Sequence, residues 1–378
     1  MAGFTAAGEQ RLRSVFDRHL EVGLHHGAQL AVYVDGDLAV DFAGGTDADG
    51  QDATPDRRHV LFSCTKPYVG VALHRLVEEG HLDYDDPVVD HWPEFADEGS
   101  EKAEITVRQV LSHQAGVPFG EFDDRPDLWG DWDAVVEAME NIEPVFAPGE
   151  QPAYHALTYG WLVGELIRRT SGQPVEEYTA EHVFEPLGMD DTSIGLREGE
   201  DITETATLAG FDVFDRCRDP EEGLGDPPAE SAAAFNEEAV RGAVIPAANG
   251  LGTARDMARF YAAMADGGSL DGTRILGEAT VDEALALHAE TGDDGTLGRP
   301  MRYSLGFWKG GHAGGPFGGA LRRERHFGHA GLGSVFGWGD PKENVGFAYV
   351  TNGIREESFE HSARVNEMSD AVRAALRE

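Results

Sequence analysis

Lysine is nearly missing from this chain. Of 378 residues, only Lys66, Lys102, Lys309 and Lys342 are lysines; the other 26 basic residues are arginines. Positive charge as a whole is scarce, with 30 basic residues against 69 acidic ones and a formal net charge of −39. A nucleic-acid partner needs cationic surface to displace counterions from phosphate, so that class is excluded, and an anionic membrane surface is disfavoured on the same ground. Cysteine is scarce too. Cys64 and Cys217 allow at most one disulfide, and no cysteine spacing suits a metal centre, so neither a metal nor another cofactor is expected. No stretch approaches the ~20 apolar residues of a membrane span. The start, MAGFTAAGEQRLRSVF, lacks the continuous apolar core of a signal peptide. A soluble, cytoplasmic protein in a reducing setting is the expectation.

What is present describes a folded globule: 41% apolar and 9% aromatic residues, enough for a packed core. The length exceeds the usual single core, so two lobes or a domain with a large insertion is expected. Charge of one sign on this scale weakens a compact state in dilute buffer and is tolerated in concentrated salt, where the Debye length shrinks to ~3 Å at 1 M. With lysine depleted as well, the composition reads as adaptation to a high-salt interior. Stability and activity are therefore expected to rise with salt. A melting temperature that stays flat or falls between ~0.1 and ~2 M KCl removes this reading.

Apolar spacing predicts an amphipathic helix over Phe4–Leu24, then two strands, Gln29–Val34 and Leu38–Phe42, joined at Asp35-Gly36-Asp37. A helix runs from Ser63 to near Gly80. The middle is mostly helical, including Leu162–Arg169 closed by Ser171-Gly172, with a loop-rich acidic stretch at Arg197–Glu238. Ala254–Gly267 is helical again. Late strands are predicted at Tyr303–Trp308, His326–His329, Ser334–Trp338 and Val345–Thr351, with a glycine-rich loop at Gly310–Gly319 and a closing helix at Glu360–Leu376. Strands at both ends around a helical middle predict an α/β (α+β) lobe built from residues 1–80 and 246–378, with residues 81–245 as a mainly helical lobe.

One short pattern carries chemistry. Ser63-Cys64-Thr65-Lys66 is an S-x-x-K element at a predicted helix start, and spacing i, i+3 puts hydroxyl and amine on one face. A desolvated lysine holds a neutral fraction able to take the serine proton, and free N–H groups at a helix start stabilise developing negative charge. Pro67 is compatible with a first helical turn but not a helix interior. With four lysines and thirteen serines, an accidental match is expected in only about one such chain in seven. Cys64 points about 100° away from Ser63 on a helix and reads as core packing rather than a second nucleophile. No G-x-S-x-G, H-E-x-x-H or P-loop pattern competes.

Further segments fall in an order that resembles one branch of the serine β-lactamase and penicillin-binding-protein superfamily, the branch of class C β-lactamases and family VIII carboxylesterases. Ile105-Thr106-Val107-Arg108-Gln109-Val110-Leu111-Ser112-His113-Gln114-Ala115-Gly116 is similar to the family's T-I-R-x-L-L-T-H-x-S-G stretch. Pro148-Gly149 precedes Tyr154 at the family's spacing, and Glu185-Pro186-Leu187-Gly188-Met189 and Asn249-Gly250-Leu251-Gly252-Thr253-Ala254-Arg255-Asp256 follow. The likeness runs from about residue 10 to 375. It implies a β-lactamase-like fold, an antiparallel sheet flanked by the terminal helices plus a mostly helical inserted lobe.

The resemblance also implies a site. Tyr154-His155-Ala156 stands where the family has Y-x-N, and a phenol there relays a proton to the leaving group, with nearby positive charge favouring its phenolate. Ala156 replaces an Asn that helps hold β-lactam side chains. His329-Ala330-Gly331 stands in place of K-T-G, His329 being positioned to donate a hydrogen bond to Tyr154 or substrate in a pH-dependent way. His326 nearby reads as structural. Gly331 lets substrate approach the strand, and the Leu332 and Ser63 N–H groups form the oxyanion hole. The expected activity is acyl transfer from a small ester or amide through an acyl-enzyme on Ser63, foremost carboxylester hydrolysis. β-Lactamase or D-amino-acid peptidase (DD-peptidase-like) activity is the alternative. From another class, a catalytically idle binding or scaffold homologue remains. Retention of Lys66 in so lysine-poor a chain speaks against it.

Overall fold

A computed structural model of the chain describes residues 3–211, 233–311, 317–355 and 358–376. Cys217, residues 212–232 of the acidic stretch and residues 312–316 of the glycine-rich loop lie outside these. Helix α1, Ala6–Glu21, starts where the Thr5 hydroxyl accepts from the Gly8 N–H, and it buries Leu12, Phe16 and His19. Strands β1 (Gly27–Val34) and β2 (Asp37–Gly45) form the expected hairpin. Asp35 and Gly36 at its tip both have positive φ, 51° and 86°, the pair of left-handed residues that a tight hairpin turn demands.

Six further strands join this hairpin: β3 (Ala289–Thr291), β4 (Met301–Tyr303), β5 (Trp308–Lys309), β6 (Phe327–Gly331), β7 (Val335–Asp340) and β8 (Val345–Thr351). They make one antiparallel eight-stranded sheet in the order β2-β1-β8-β7-β6-β5-β4-β3. The chain thus closes its sheet by bringing residues 345–351 against residues 28–34.

The expectation of a single strand over Tyr303–Trp308 fails. Ser304 N–H donates to Phe307 O, and Gly306 has φ 95°, so the chain reverses between β4 and β5. A largely apolar run hid a turn signalled only by Ser304 and Gly306.

Both faces of the sheet are covered, so β1 and β8 are buried along their whole length. Leu30 and Val32 belong to one hydrophobic cluster with Leu12 and Phe16 of α1, and with Val365 and Met368 of the closing helix α5 (Ser358–Ala375). Ala31 and Tyr33, pointing the other way, join the larger cluster with Met257 and Ala258 of α4 (Ala254–Ala265). Helix α4 lies so close to β8 that a Cβ at Gly346 would sit 2.3 Å from Ala258 O. The larger cluster continues into α2 (Lys66–Glu78) and α3 (Thr158–Ser171), which pack on each other. Among the described residues, no helix is long and apolar enough to cross a membrane.

Candidate active site

The segment leading to Ser63 is held rigidly. Val60 pairs with Leu251, Leu61 N–H donates to Gly250 O at 2.7 Å, and the Thr65 hydroxyl both accepts from Gly250 N–H and donates to Phe62 O. Phe62 itself has φ 46° and ψ −135°. A bulky side chain in that region costs on the order of 1–3 kcal/mol and persists only where its surroundings over-determine it. Ser63–Thr65 then forms one 3-10 turn, and α2 begins at Lys66 with Pro67 in its first turn. Ser63 is thus just ahead of the α-helix rather than in it, and the turn keeps the two side chains on one face.

Lys66 is fully buried, whereas Ser63 is partly accessible. Lys66 Nζ lies 3.1 Å from Ser63 Oγ, 2.7 Å from Ala156 O and 3.0 Å from Ala247 O. As an ammonium it gives one N–H to each. As a neutral amine it keeps both carbonyls and turns its lone pair to the Ser63 hydroxyl. Burial lowers its pKa from 10.5 to about 7, so the neutral amine is well populated near neutrality. Ala156, lacking the family's Asn side chain, still serves this lysine through its backbone carbonyl.

Tyr154 completes the group. A side-chain hydrogen bond joins it to Ser63, and Lys66 Nζ lies 4.9 Å from its ring centroid. The expectation of a phenolate is overturned: burial drives the Tyr154 pKa well above its ordinary value, and the hydrogen bond from Ser63 offsets this only in part. Loss of water outweighs the pull of nearby positive charge, so Tyr154 is a neutral phenol. Its ring is walled by His113, His329 and Trp308 at centroid separations of 4.8, 5.9 and 5.9 Å. Its N–H donates to Asp294 Oδ1 at 3.0 Å, and Asp294 also binds the Thr296 and Leu297 N–H groups and the Tyr303 hydroxyl.

His329 lies on β6 beside Tyr154, fully buried. Nδ1 is 2.7 Å from Ala330 O, which makes it the protonated nitrogen, and Nε2 is buried without a partner among the described residues. Burial, reinforced by Lys66, lowers its pKa to about 3. Neutral His329 therefore offers Nε2 as an acceptor, not the expected donor, and does not titrate near pH 7. Gly331 has a backbone reason to be glycine: a Cβ there would sit 2.4 Å from Leu61 O, in the segment that carries Ser63. Leu332 follows at the start of the β6–β7 turn, half-exposed. Cys64 is a free, buried thiol donating to His329 O at 3.2 Å, and burial raises its pKa, so it is packing, as expected. His326, set aside as structural, pairs with Asp340 at 2.9 Å.

Three contributors had no signal of their own in the sequence reading: the Ala247 carbonyl, Asp294 and Trp308. His113 was quoted within a motif without a role. It adopts φ 61°, accepts the His155 N–H at Nδ1, and packs at a tilt against the rings of Tyr154 and Tyr303. Among the described residues, no cluster of His, Cys, Asp or Glu is suited to hold a metal ion.

The profile of the family described as Beta-lactamase matches residues 12–369. The esterase/beta-lactamase LipL of Mycobacterium tuberculosis is 35% identical over 346 residues, covering 86% of this chain and 77% of LipL. The crystal structure of a family VIII carboxylesterase superposes with a TM-score of 0.84 at 30% identity, over 99% of both chains. A penicillin-binding-protein homologue from Caulobacter crescentus gives 0.81 at 32% identity, again over 99% of both. With the profile spanning both ends of the sheet and everything between them, the chain belongs to the β-lactamase family of serine hydrolases.

Proposed function

We propose that this protein is a carboxylesterase acting on small esters through an acyl-enzyme on Ser63. The observation that carries the reading is the Lys66 amine, buried, bonded to two carbonyls and 3.1 Å from the Ser63 hydroxyl. Neutral Lys66 takes the Ser63 proton as Oγ attacks the ester carbonyl, and the N–H groups of Ser63 and Leu332 receive the oxyanion. Tyr154, a neutral phenol, protonates the departing alkoxide and is itself reprotonated from the Lys66 ammonium. Water then attacks the acyl-enzyme, giving its proton back along the same route and releasing the acid. Gly331 keeps β6 close to the Ser63 segment. A fluorophosphonate probe followed by peptide mapping tests the nucleophile; labelling elsewhere, or none, overturns the assignment and favours an idle homologue.

β-Lactam hydrolysis is the second reading, supported by the name of LipL as an esterase/beta-lactamase. Two positions weigh against it as the main activity. Ala156 lacks the amide that pairs with a β-lactam side chain, and His329 stays neutral where a permanent cation suits a substrate carboxylate. One lost hydrogen bond of this kind costs ~1–3 kcal/mol, roughly ten- to a hundredfold. Ester hydrolysis is therefore expected to exceed lactam hydrolysis by about two orders of magnitude in kcat/KM, measured with p-nitrophenyl butyrate and nitrocefin at one pH and salt. Comparable values would promote the lactamase reading. Ala156→Asn is expected to raise lactam turnover more than ester turnover.

A further inference from the structure

In a chain with 69 acidic residues, an arginine rarely lacks a carboxylate. Arg57, Arg58, Arg108, Arg255 and Arg325 each pair with Asp or Glu at 2.9 Å or less. Arg299 does not. Its side chain is half-buried, yet among the described residues it makes no ion pair or hydrogen bond, and its Nε is shut away from solvent without a partner. Asp294, the acid that influences it electrostatically, is already engaged by three N–H groups and the Tyr303 hydroxyl.

The position of this cation is what gives it meaning. The guanidinium carbon lies 5.8 Å from the Trp308 ring centroid, and Trp308 in turn packs at a tilt against His329 at 4.7 Å and stands 5.9 Å from Tyr154. Arg299 is near enough to Tyr154 for its charge to bear on the phenol. The indole Nε1 of Trp308 and Nε2 of His329 are buried without partners as well. Two N–H donors, Arg299 Nε and Trp308 Nε1, are thus gathered on one side of Tyr154 with nothing among the described residues to satisfy them. Buried polar groups in native folds are normally paired, and burying a cation unpaired is costlier still. Burial does lower the pKa of Arg299, but a guanidinium stays charged at any working pH.

We propose that Arg299, stacked on Trp308 beside Tyr154, is a subsite for a carboxylate carried on the leaving-group side of the substrate. The side follows from the neighbours: Arg299 and Trp308 stand against Tyr154 and His329, and Tyr154 is the group that hands its proton to the leaving oxygen. A planar guanidinium takes a carboxylate with two parallel N–H···O bonds, and Trp308 Nε1–H is one further donor. The preferred substrates are then acylated hydroxy acids, whose released alcohol carries the carboxylate. This inference rests on Ser63 as nucleophile and Tyr154 as leaving-group acid.

Two aryl acetates of matched shape and similar leaving-group acidity separate the possibilities, 3-carboxyphenyl acetate and its neutral partner 3-carbamoylphenyl acetate, assayed at one pH and one ionic strength. Wild type is expected to favour the carboxylate ester by about tenfold or more in kcat/KM, mainly through KM. The preference should collapse towards one in Arg299→Gln and be partly kept in Arg299→Lys, which restores the charge without the fork. A wild-type ratio near one overturns the proposal without any variant. So does a preference that survives Arg299→Gln, or one that appears only when the carboxylate is moved to the acyl side, as in mono-p-nitrophenyl glutarate against p-nitrophenyl butyrate. If neither aryl acetate is hydrolysed at all, the Ser63 reading has failed, which is a different result from hydrolysis without preference.

Discussion

Ser63→Ala should lower kcat on p-nitrophenyl butyrate by at least about 10⁴-fold while leaving the melting temperature near that of wild type. The size of the loss follows from the role: no other hydroxyl or thiol in the site is able to take over the bond to the acyl group. Tyr154 is a buried, neutral phenol, and Cys64 donates to His329 O from a thiol whose pKa burial has raised. Removing a nucleophile that works as a unit with its base typically costs as much as removing the unit. Stability is spared because the rest of the turn is fastened independently, by the Thr65 hydroxyl and the Leu61–Gly250 bond. Loss of one partly accessible hydroxyl leaves Lys66 with both of its carbonyls. Activity above a few per cent of wild type, in a preparation free of contaminating esterase, would falsify the assignment of Ser63. Loss of activity together with loss of folding would instead mark Ser63 as structural.

How far this site was legible beforehand depends on the distance over which each contact acts. Ser63 and Lys66 are three residues apart, and a turn of helix is a local structure that the sequence states directly. The β1–β2 hairpin was equally plain, because Asp35-Gly36 is a turn signal with a backbone reason, two consecutive positive φ angles. Tyr154 and His329 are different: nothing near them in the chain marks them, and only the ordered likeness to a family brought them forward. Asp294 was invisible, since its bond to the Tyr154 N–H spans 140 residues and uses a carboxylate among 69 acidic residues. The carbonyls of Ala156 and Ala247 are beyond any residue-type reading, because every residue has one. Electrostatics was the least legible of all. Tyr154 was expected to feel positive charge and His329 to titrate near neutrality. Both expectations failed for one reason: burial penalises the charged form of each more than its neighbours favour it.

Lys66→Arg is the substitution that separates the chemistry of Lys66 from its charge. Arginine retains a cation and several N–H donors, so the carbonyls of Ala156 and Ala247 keep hydrogen-bond partners, but its pKa lies far too high for it to accept a proton. If Lys66 acted by charge alone, the variant would keep substantial activity. As the base, its loss should lower kcat/KM by about 10²–10⁴-fold. The pH profile supplies the second half of the test. Lys66 must be neutral to act, and burial lowers its pKa to about 7, so wild-type kcat/KM should fall as pH drops through about 7 and level off above it. His329, with a pKa of about 3, contributes no limb in that range, and Tyr154 titrates well above it. The limb near 7 should vanish in Lys66→Arg, leaving a low and flat rate. A larger guanidinium in a sealed pocket also risks displacing the Ser63 turn, and Lys66→Met, which removes charge and donors without added branching, controls for that. Both variants should be slow. Near-normal kcat in Lys66→Arg, or a limb near pH 7 that persists in either variant, would assign the titrating base to another group.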